Sequence, residues 1–403
     1  MSAVETVKHE STQSKDFLHP PFKYLIVIEP LGFLYGSAGK FLSPENLIGR
    51  SGNSFPPSAA ALSGLFADRY QGNMEYLEKL QLAGPFWAWS KNPHNFYVPI
   101  PFNYLVKNST IQHLLTWQTE KESQDKKWLP SSIENFDRET IIPILTDKFE
   151  KGTWIGIRHW KRIKSGNQHQ SQSIKVAIPP WKYAPHLHPR LKEDERRVNE
   201  ELERGSLFLE NAVQLNPDAC LVYLSNTELK DGWYRFGGEG HMVDVRCIDL
   251  SPTVQALLEQ PVGKSFALIT PAVWGSNRLS YREPVYLQKG DSKKYAQENP
   301  ESNDKKVWAV DALLTERPIP FRYRLGNHDN HQPQGEQHQK PPKLLSRGRY
   351  AVPAGTVYVV KELEGLTDRS WQYWDEKWFP KEGPSFKRWG CGLALPLPSA
   401  CSV

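Results

Sequence analysis

Cysteine is scarce: Cys220, Cys247, Cys391 and Cys401 are the four in 403 residues. No two stand as C-x-x-C and no even framework of short spacings exists, which excludes a zinc ribbon and a disulfide scaffold and fits a reducing cytoplasm. Long hydrophobic runs are missing too, since no stretch approaches the roughly 20 apolar residues that a spanning helix needs. The opening "MSAVETVKHESTQSKDF" lacks the apolar core of a signal peptide. A soluble cytoplasmic protein is therefore the expectation, with residues 1–20 a disordered tail.

Phosphate-binding and nucleophile motifs fail in the same way. The loop "GSAGKF" is preceded by Leu34 where a P-loop needs Gly, and Phe41 stands where it needs Ser or Thr. After Gly390 and Gly392 the third position of a G-x-G-x-x-G holds Leu395, and no G-x-S-x-G occurs. His186 and His188, spaced i,i+2 on an extended segment, share one face but offer a metal no more than two ligands. His328, His331 and His338 fall in a polar Gln/His/Pro-rich insertion, so neither a metal nor another cofactor is expected.

What is present is a globular composition, 39% hydrophobic and 24% charged, in a chain long enough for two domains. Proline (32), Trp (14) and Tyr (16) favour many short strands, because proline ends helices and aromatics suit pleated, half-buried surfaces. The expected class is α+β, rich in β. The net charge of +5 is informative only where cations cluster. They do so from Trp154 to Lys175, where Arg158, Lys161, Arg162, Lys164 and Lys175 occur without an acid, and again at Lys340, Lys343, Arg347 and Arg349.

Periodicity predicts a buried strand at Tyr24–Ile28, a glycine-rich loop, a helix capped by Ser58, and strands at Phe86–Trp89 and Phe96–Ile100, a β-α-β-β order. Residues 107–150 carry mixed signals and remain unassigned. A strand at Trp154–Lys161 and its return at Ser173–Ile178 read as a projecting basic hairpin. Glu193 to Arg197 and Glu200 to Arg204, at i,i+4, mark a short exposed helix. "SLFLENAVQL" and "CLVYLS" read as a strand pair, and "YRFGGEGHM" as a glycine turn into a strand at Met242–Cys247. "SPTVQALLEQ" opens a helix at a Ser-Pro cap, which puts a domain boundary near residue 250. The divisions are 21–250, with the inserted hairpin, and 251–403, with a flexible insertion at 326–343. "YAVPAGTVYVVKEL" and the residues after Gly392 supply the last strands.

Three stretches join cations, glycine and aromatic rings: "GIRHWKR", "YRFGGEGHM" and "FKRWGCG". Glycine turns let a sugar-phosphate backbone approach main-chain N–H groups, Arg and Lys neutralise phosphate, and Trp or His stacks on an unpaired base. The candidate contacts with single-stranded RNA are Arg158, His159, Lys161 and Arg162 in the first stretch. The second supplies Arg235, Gly237, Gly238, Glu239, Gly240 and His241, and the third Lys387, Arg388, Trp389, Gly390 and Gly392. A general acid–base ribonuclease acting through His159 or His241 is the alternative.

The ordered set "PPFKYLIVIEPLGFLYGSAGKF", "FPPSAAALSGLF", "LAGPFWAWS", "YVPIPFNYL", "LFLENAVQL", "RFGGEGHMV", "AVPAGTVYVV" and "GPSFKRWGCGLALP" resembles the RAMP family of type III-B CRISPR effector modules known as the third subunit of the Cmr complex. The resemblance spans about residues 22–398. It implies two ferredoxin-like, RRM-related βαββαβ units and no nuclease activity of the chain's own. It also implies an antiviral ribonucleoprotein in which the chain holds the repeat-derived 5′ handle of the CRISPR RNA. There it would lie between the large polymerase/cyclase-like subunit and the backbone RAMP subunits. Gly237, Gly238, Glu239 and Gly240 match the family's glycine-glutamate turn, and Lys387, Arg388, Gly390 and Gly392 its closing loop. Tyr35-Gly36 stands where the family commonly has Arg-Asp, so no role is carried to that position.

Overall fold

Leu25, Ile26, Val27 and Ile28 alternate between the two faces of an extended chain, and all four are buried, which requires a strand in the interior of a sheet. The computed structural model describes residues 21–36, 55–70, 73–119, 125–131, 144, 147–189, 198, 207–237, 240–274, 281–286, 305–323 and 346–398. The expected tail at 1–20, the helix at 191–205 apart from Val198, and the 326–343 insertion lie outside these residues.

In chain order the strands are β1 (Tyr24–Pro30), β2 (Leu82–Trp89), β3 (Tyr97–Pro99), β4 (Tyr104–Lys107), β5 (Thr110–Thr119), β6 (Lys126–Pro130), β7 (Trp154–Gly156), β8 (Trp181–Pro189), β9 (Leu207–Leu215) and β10 (Ala219–Ser225). They continue with β11 (Gly232–Phe236), β12 (His241–Asp249), β13 (Ser265–Leu268), β14 (Val285–Tyr286), β15 (Lys305–Lys306), β16 (Val310–Leu314), β17 (Ile319–Phe321), β18 (Arg349–Ala351), β19 (Val357–Val360) and β20 (Ala394–Pro396). The helices are α1 (Ala59–Arg69), α2 (Met74–Glu78), α3 (Trp160–Ser165), α4 (Gln168–Gln172) and α5 (Pro252–Leu258).

The fold is mixed α+β, with several antiparallel sheets and few helices. Seven strands form the larger sheet in the order β11-β12-β1-β10-β2-β3-β7. Val27 of β1 lies opposite Val222 of β10 on one side and Arg246 of β12 on the other. β10 is buried along its whole length, as a strand between two neighbours must be. The second sheet has the order β16-β19-β13-β20. Taken in chain order within each half, β1, β2, β10 and β12 and then β13, β16, β19 and β20 stand in the same spatial order: fourth, first, third, second.

α1 connects the first and second strands of the larger sheet. Ser58 precedes it in an extended conformation, and Ala59, Ala60, Leu62, Leu65 and Phe66 form its buried face. Between the third and fourth strands, where a second helix is expected, β11 and a glycine turn stand instead, with no helix among the described residues. The second half places short 3-10 turns at Trp371–Tyr373, Glu376–Trp378 and Phe386–Trp389 between its third and fourth strands.

In the unassigned segment, the described strands up to Pro130 form a meander, β4-β5-β6. The expected basic hairpin is not formed: β7 ends at Gly156, and the cations follow on a 3-10 turn and α3. Ile157, Trp160 and Ile163 are buried at i, i+3 and i+6, a helical spacing that turns Arg158, Lys161 and Arg162 outward. Gly166 caps α3 at φ 66°. β9 and β10 are strands but not partners, since β9 pairs with β8 while β10 pairs with β1 and β2.

Buried side chains of both sheets belong to one continuous apolar cluster. Its second half is aromatic: the Trp308 ring lies 4.9 Å from Trp274 and 5.2 Å from Trp374, tilted edge to face. Each such pair contributes about 0.5–1.5 kcal/mol beyond the burial of its area.

Candidate functional site: a cleft where the two halves meet

A cleft of about 1820 Å³ is lined by both halves of the chain. The first half contributes α1 and the β11 residues Trp233 to Arg235; the second contributes Leu314 to Tyr323. Gly84 and Pro85 of β2 line it together with Trp389, Gly390 and Cys391 of the closing loop.

The glycine turn joins β11 to β12, with Phe236 opposite His241. Gly237 has φ 80°, and a Cβ there would come within 2.9 Å of the Tyr35 carbonyl oxygen, so both conformation and space require glycine. Gly240 closes the turn at φ 61°, while Gly238 and Glu239 lie outside the described residues. His241 stacks on Tyr35, with ring centroids 4.8 Å apart and planes 25° from parallel. The Tyr35 hydroxyl in turn shares a 3.1 Å hydrogen bond with His186 Nδ1. Tyr35, to which the sequence assigned nothing, thus organises two histidines and buttresses the turn.

The closing loop is placed otherwise than expected. Lys387 is 3% exposed. Its Nζ donates to the Gln372 carbonyl at 2.9 Å and to that of Trp374, and lies 5.6 Å from the centroid of the Trp371 ring. Arg388 donates from Nε to the Leu80 carbonyl at 3.1 Å and from Nη2 to that of Leu77, so it satisfies carbonyls at the end of α2. Burial lowers its pKa from the ordinary arginine value. Both cations of this pair, expected to meet phosphate, make bonds within the protein. Trp389 packs 4.9 Å from Tyr323. Gly390, at φ 70°, lies so close to β2 that a Cβ would stand 2.4 Å from that of Ala83; at Gly392 it would stand 2.9 Å from the Trp274 ring. Of the five expected contacts in this loop, Trp389 and Gly390 line the cleft.

The first basic stretch is not among the residues lining the cleft. Arg158, Lys161 and Arg162 are exposed around α3, with Arg162 Nη1 donating to the Ser173 hydroxyl at 3.3 Å. Burial, with the charge of Arg162 in second place, holds His159 below the usual histidine pKa. In the second basic run Arg349 is buried, ion-paired with Glu382, and 5.1 Å from the Phe386 ring centroid.

Arg235 is exposed and has no ion-pair or side-chain hydrogen-bond partner among the described residues. Two residues before it, Trp233 is 72% exposed. Sequence reading passed over this tryptophan, although Trp-x-Arg spacing on a strand already places both side chains on one face. Thr153 also lines the cleft, with a buried hydroxyl that has no partner among the described residues. Among the described residues no group of three or more His, Cys, Asp and Glu is placed to hold a metal, and no helix is long and apolar enough to cross a membrane.

Fold and cleft define an α+β protein of several antiparallel sheets, whose two halves share one groove bordered by glycine turns. The chain matches the family described as CRISPR-associated protein (Cas_Cmr3) over residues 52–398, and it belongs to that family, a RAMP subunit of the type III-B Cmr kind. It is similar, at 10% identity and a TM-score of 0.41, to a chain of the cryo-EM structure of the type III-B Cmr-beta bound to cognate target RNA and AMPPnP, with 83% of this chain and 85% of that one covered. A chain of the crystal structure of the Csm3-Csm4 subcomplex in the type III-A CRISPR-Cas interference complex is 14% identical, at TM-score 0.30, over 86% and 94% of the two chains. No curated protein matches the chain.

Proposed function

We propose that the chain is a non-catalytic RNA-binding subunit of a cytoplasmic type III-B effector complex in antiviral defence. It holds the repeat-derived 5′ handle of the CRISPR RNA and bridges the large polymerase/cyclase-like subunit to the backbone RAMP subunits. The observation that carries this reading is the cleft lined by β11, Gly237 and the Gly390 loop, with the Arg235 guanidinium on it, unpaired among the described residues. Glycine turns admit a sugar-phosphate backbone and the cation favours phosphate. Residues 21–250 and 251–403 then read as two ferredoxin-like units, each modified after its third strand. The exposed cations Arg158, Lys161 and Arg162 serve as a second phosphate contact beyond the cleft.

Fluorescence anisotropy with labelled handle RNA tests the reading. Affinity is expected to fall with salt, with a log–log slope of about −0.7 for each phosphate neutralised on a single strand. Combined Arg158→Ala, Lys161→Ala and Arg235→Ala substitutions are expected to weaken binding and flatten that slope; a slope untouched by them refutes the site. Repeat RNA incubated with the chain in EDTA is expected to stay intact. Cuts that disappear in His241→Ala would make the chain a metal-independent ribonuclease instead.

A further inference from the structure

We infer that Trp233 and Arg235 form a nucleotide platform on β11, the indole stacking on an unpaired base of single-stranded RNA and the guanidinium holding an adjacent phosphate; the inference rests on the RNA-binding reading of the cleft. Among the described residues β11 is the edge of the larger sheet, bonded to β12 alone. Trp233 and Arg235 project from the same face, about 6.6 Å apart along the strand. Both line the cleft. The Trp233 indole is 72% exposed, and no ring of the described residues stacks on it, so its face is open to a planar partner.

The neighbouring charges orient the ligand. Asp244 lies directly across the ladder from Trp233, and Met242 across from Arg235. Phosphate is repelled at the Asp244 end and attracted at the Arg235 end, so the base takes the indole and the backbone takes the guanidinium. Among the described residues, Asp231 accepts the Cys247 backbone N–H at 2.7 Å and Glu29 pairs with Arg246 at 2.6 Å, while Asp68 of α1 also borders the cleft. A protein partner would fit the bare tryptophan as well, but the unpaired cation beside it and the glycine turn that follows favour a nucleotide.

The test is anisotropy of a 5′-labelled eight-nucleotide single-stranded RNA titrated with the full chain. Trp233→Ala is expected to weaken binding about 10-fold or more, the scale of losing one base stack. Trp233→Phe keeps most of the affinity, whereas Trp233→Leu, apolar but without a ring face, behaves like alanine. Arg235→Ala lowers the affinity and reduces the salt slope by about one phosphate. If the wild-type chain binds this RNA and the four variants bind it equally well, the platform is refuted and the RNA-binding reading stands. If the wild-type chain binds no RNA, both fall. If Trp233→Ala leaves RNA affinity intact and instead releases a protein subunit from the purified effector complex, the surface is a protein interface and the platform is refuted.

Discussion

Replacing Lys387 separates a cation that binds phosphate from one that holds the fold. Its ammonium donates to the Gln372 and Trp374 carbonyls beneath the Trp371 ring, 3% exposed. Each carbonyl left without a donor costs about 1–3 kcal/mol. The stem adds a cavity term when truncated, so Lys387→Ala is expected to cost about 3–5 kcal/mol. Lys387→Met refills the stem but leaves the same two carbonyls without a donor, so it is expected to save only the cavity part of that cost. Buried residues of both halves share one apolar cluster, so the 403-residue chain is expected to melt in one transition. At about 2.1 cal/mol/K per residue, the unfolding entropy is about 0.85 kcal/mol/K, and the alanine variant loses about 4–6 °C of melting temperature. Differential scanning calorimetry reads that shift, and RNA anisotropy well below the transition reads the salt slope, which should not change. An unshifted melting temperature together with a slope smaller by about one phosphate would place the ammonium on RNA and refute the buried role.

Further outcomes follow from neighbouring groups. Gly390→Ala imposes both a left-handed φ on alanine and the 2.4 Å approach to Ala83, so a loss of about 2–5 kcal/mol is expected in the same calorimetric assay; a wild-type melt would refute the close contact. Burial pushes the thiols of Cys220 and Cys391 up to about 12 and that of Cys247 to about 11, from an ordinary 9.0. In a Cys401→Ser background the native chain should therefore resist a thiol reagent at pH 8, and rapid labelling would refute the burial. Because these pKa values are raised by folding, the stability they carry is present below pH 9 and drains away as pH climbs through about 11–12, measurable as a falling denaturant midpoint. His159 titrates below its ordinary 6.5, so protonation favours the unfolded chain and stability falls as pH drops through that value; an imidazole NMR midpoint above 6.5 would contradict it.

The elements that sequence reading located are those whose local signals and tertiary needs agree. β1 reads as buried because four consecutive apolar residues leave no wet face, and α1 starts at Ser58 because an extended small residue precedes an alanine-rich packed side. The segment after Gly156 was misread because Trp, Ile and Arg in alternation suit a strand. The decisive pattern was Ile157, Trp160 and Ile163 at helical spacing, with Gly166 and Asn167 as punctuation; the Asn167 side chain accepts the Gln170 N–H at 3.1 Å. β9 and β10 were paired because they are neighbours in sequence, but β10 needs an apolar partner on each side and finds them in β1 and β2. The glycine turn was legible as a turn because its φ values are written in glycine. The fate of Lys387 and Arg388 was not, since nothing local distinguishes a cation awaiting phosphate from one whose acceptors are carbonyls brought in by the fold.

The closing loop explains why the two halves share a cleft at all. Gly390 fits against Ala83 of the first sheet, while its carbonyl accepts the Thr270 hydroxyl at 2.5 Å next to the second sheet. Thr270 Oγ1 also accepts the Leu393 N–H at 2.8 Å, and Gly392 donates its N–H to the Pro271 carbonyl at 2.9 Å. Arg388 ties the same loop to the end of α2, and the Trp160 indole donates to the Pro396 carbonyl at 2.9 Å. Glycine is needed here for closeness between two protein surfaces, and the cations for bonds to carbonyls that the junction would otherwise bury unpaired. The division of labour is then physical. The Gly390 loop fixes the spacing of the walls, and β11 leaves Trp233 and Arg235 exposed at the edge of the cleft.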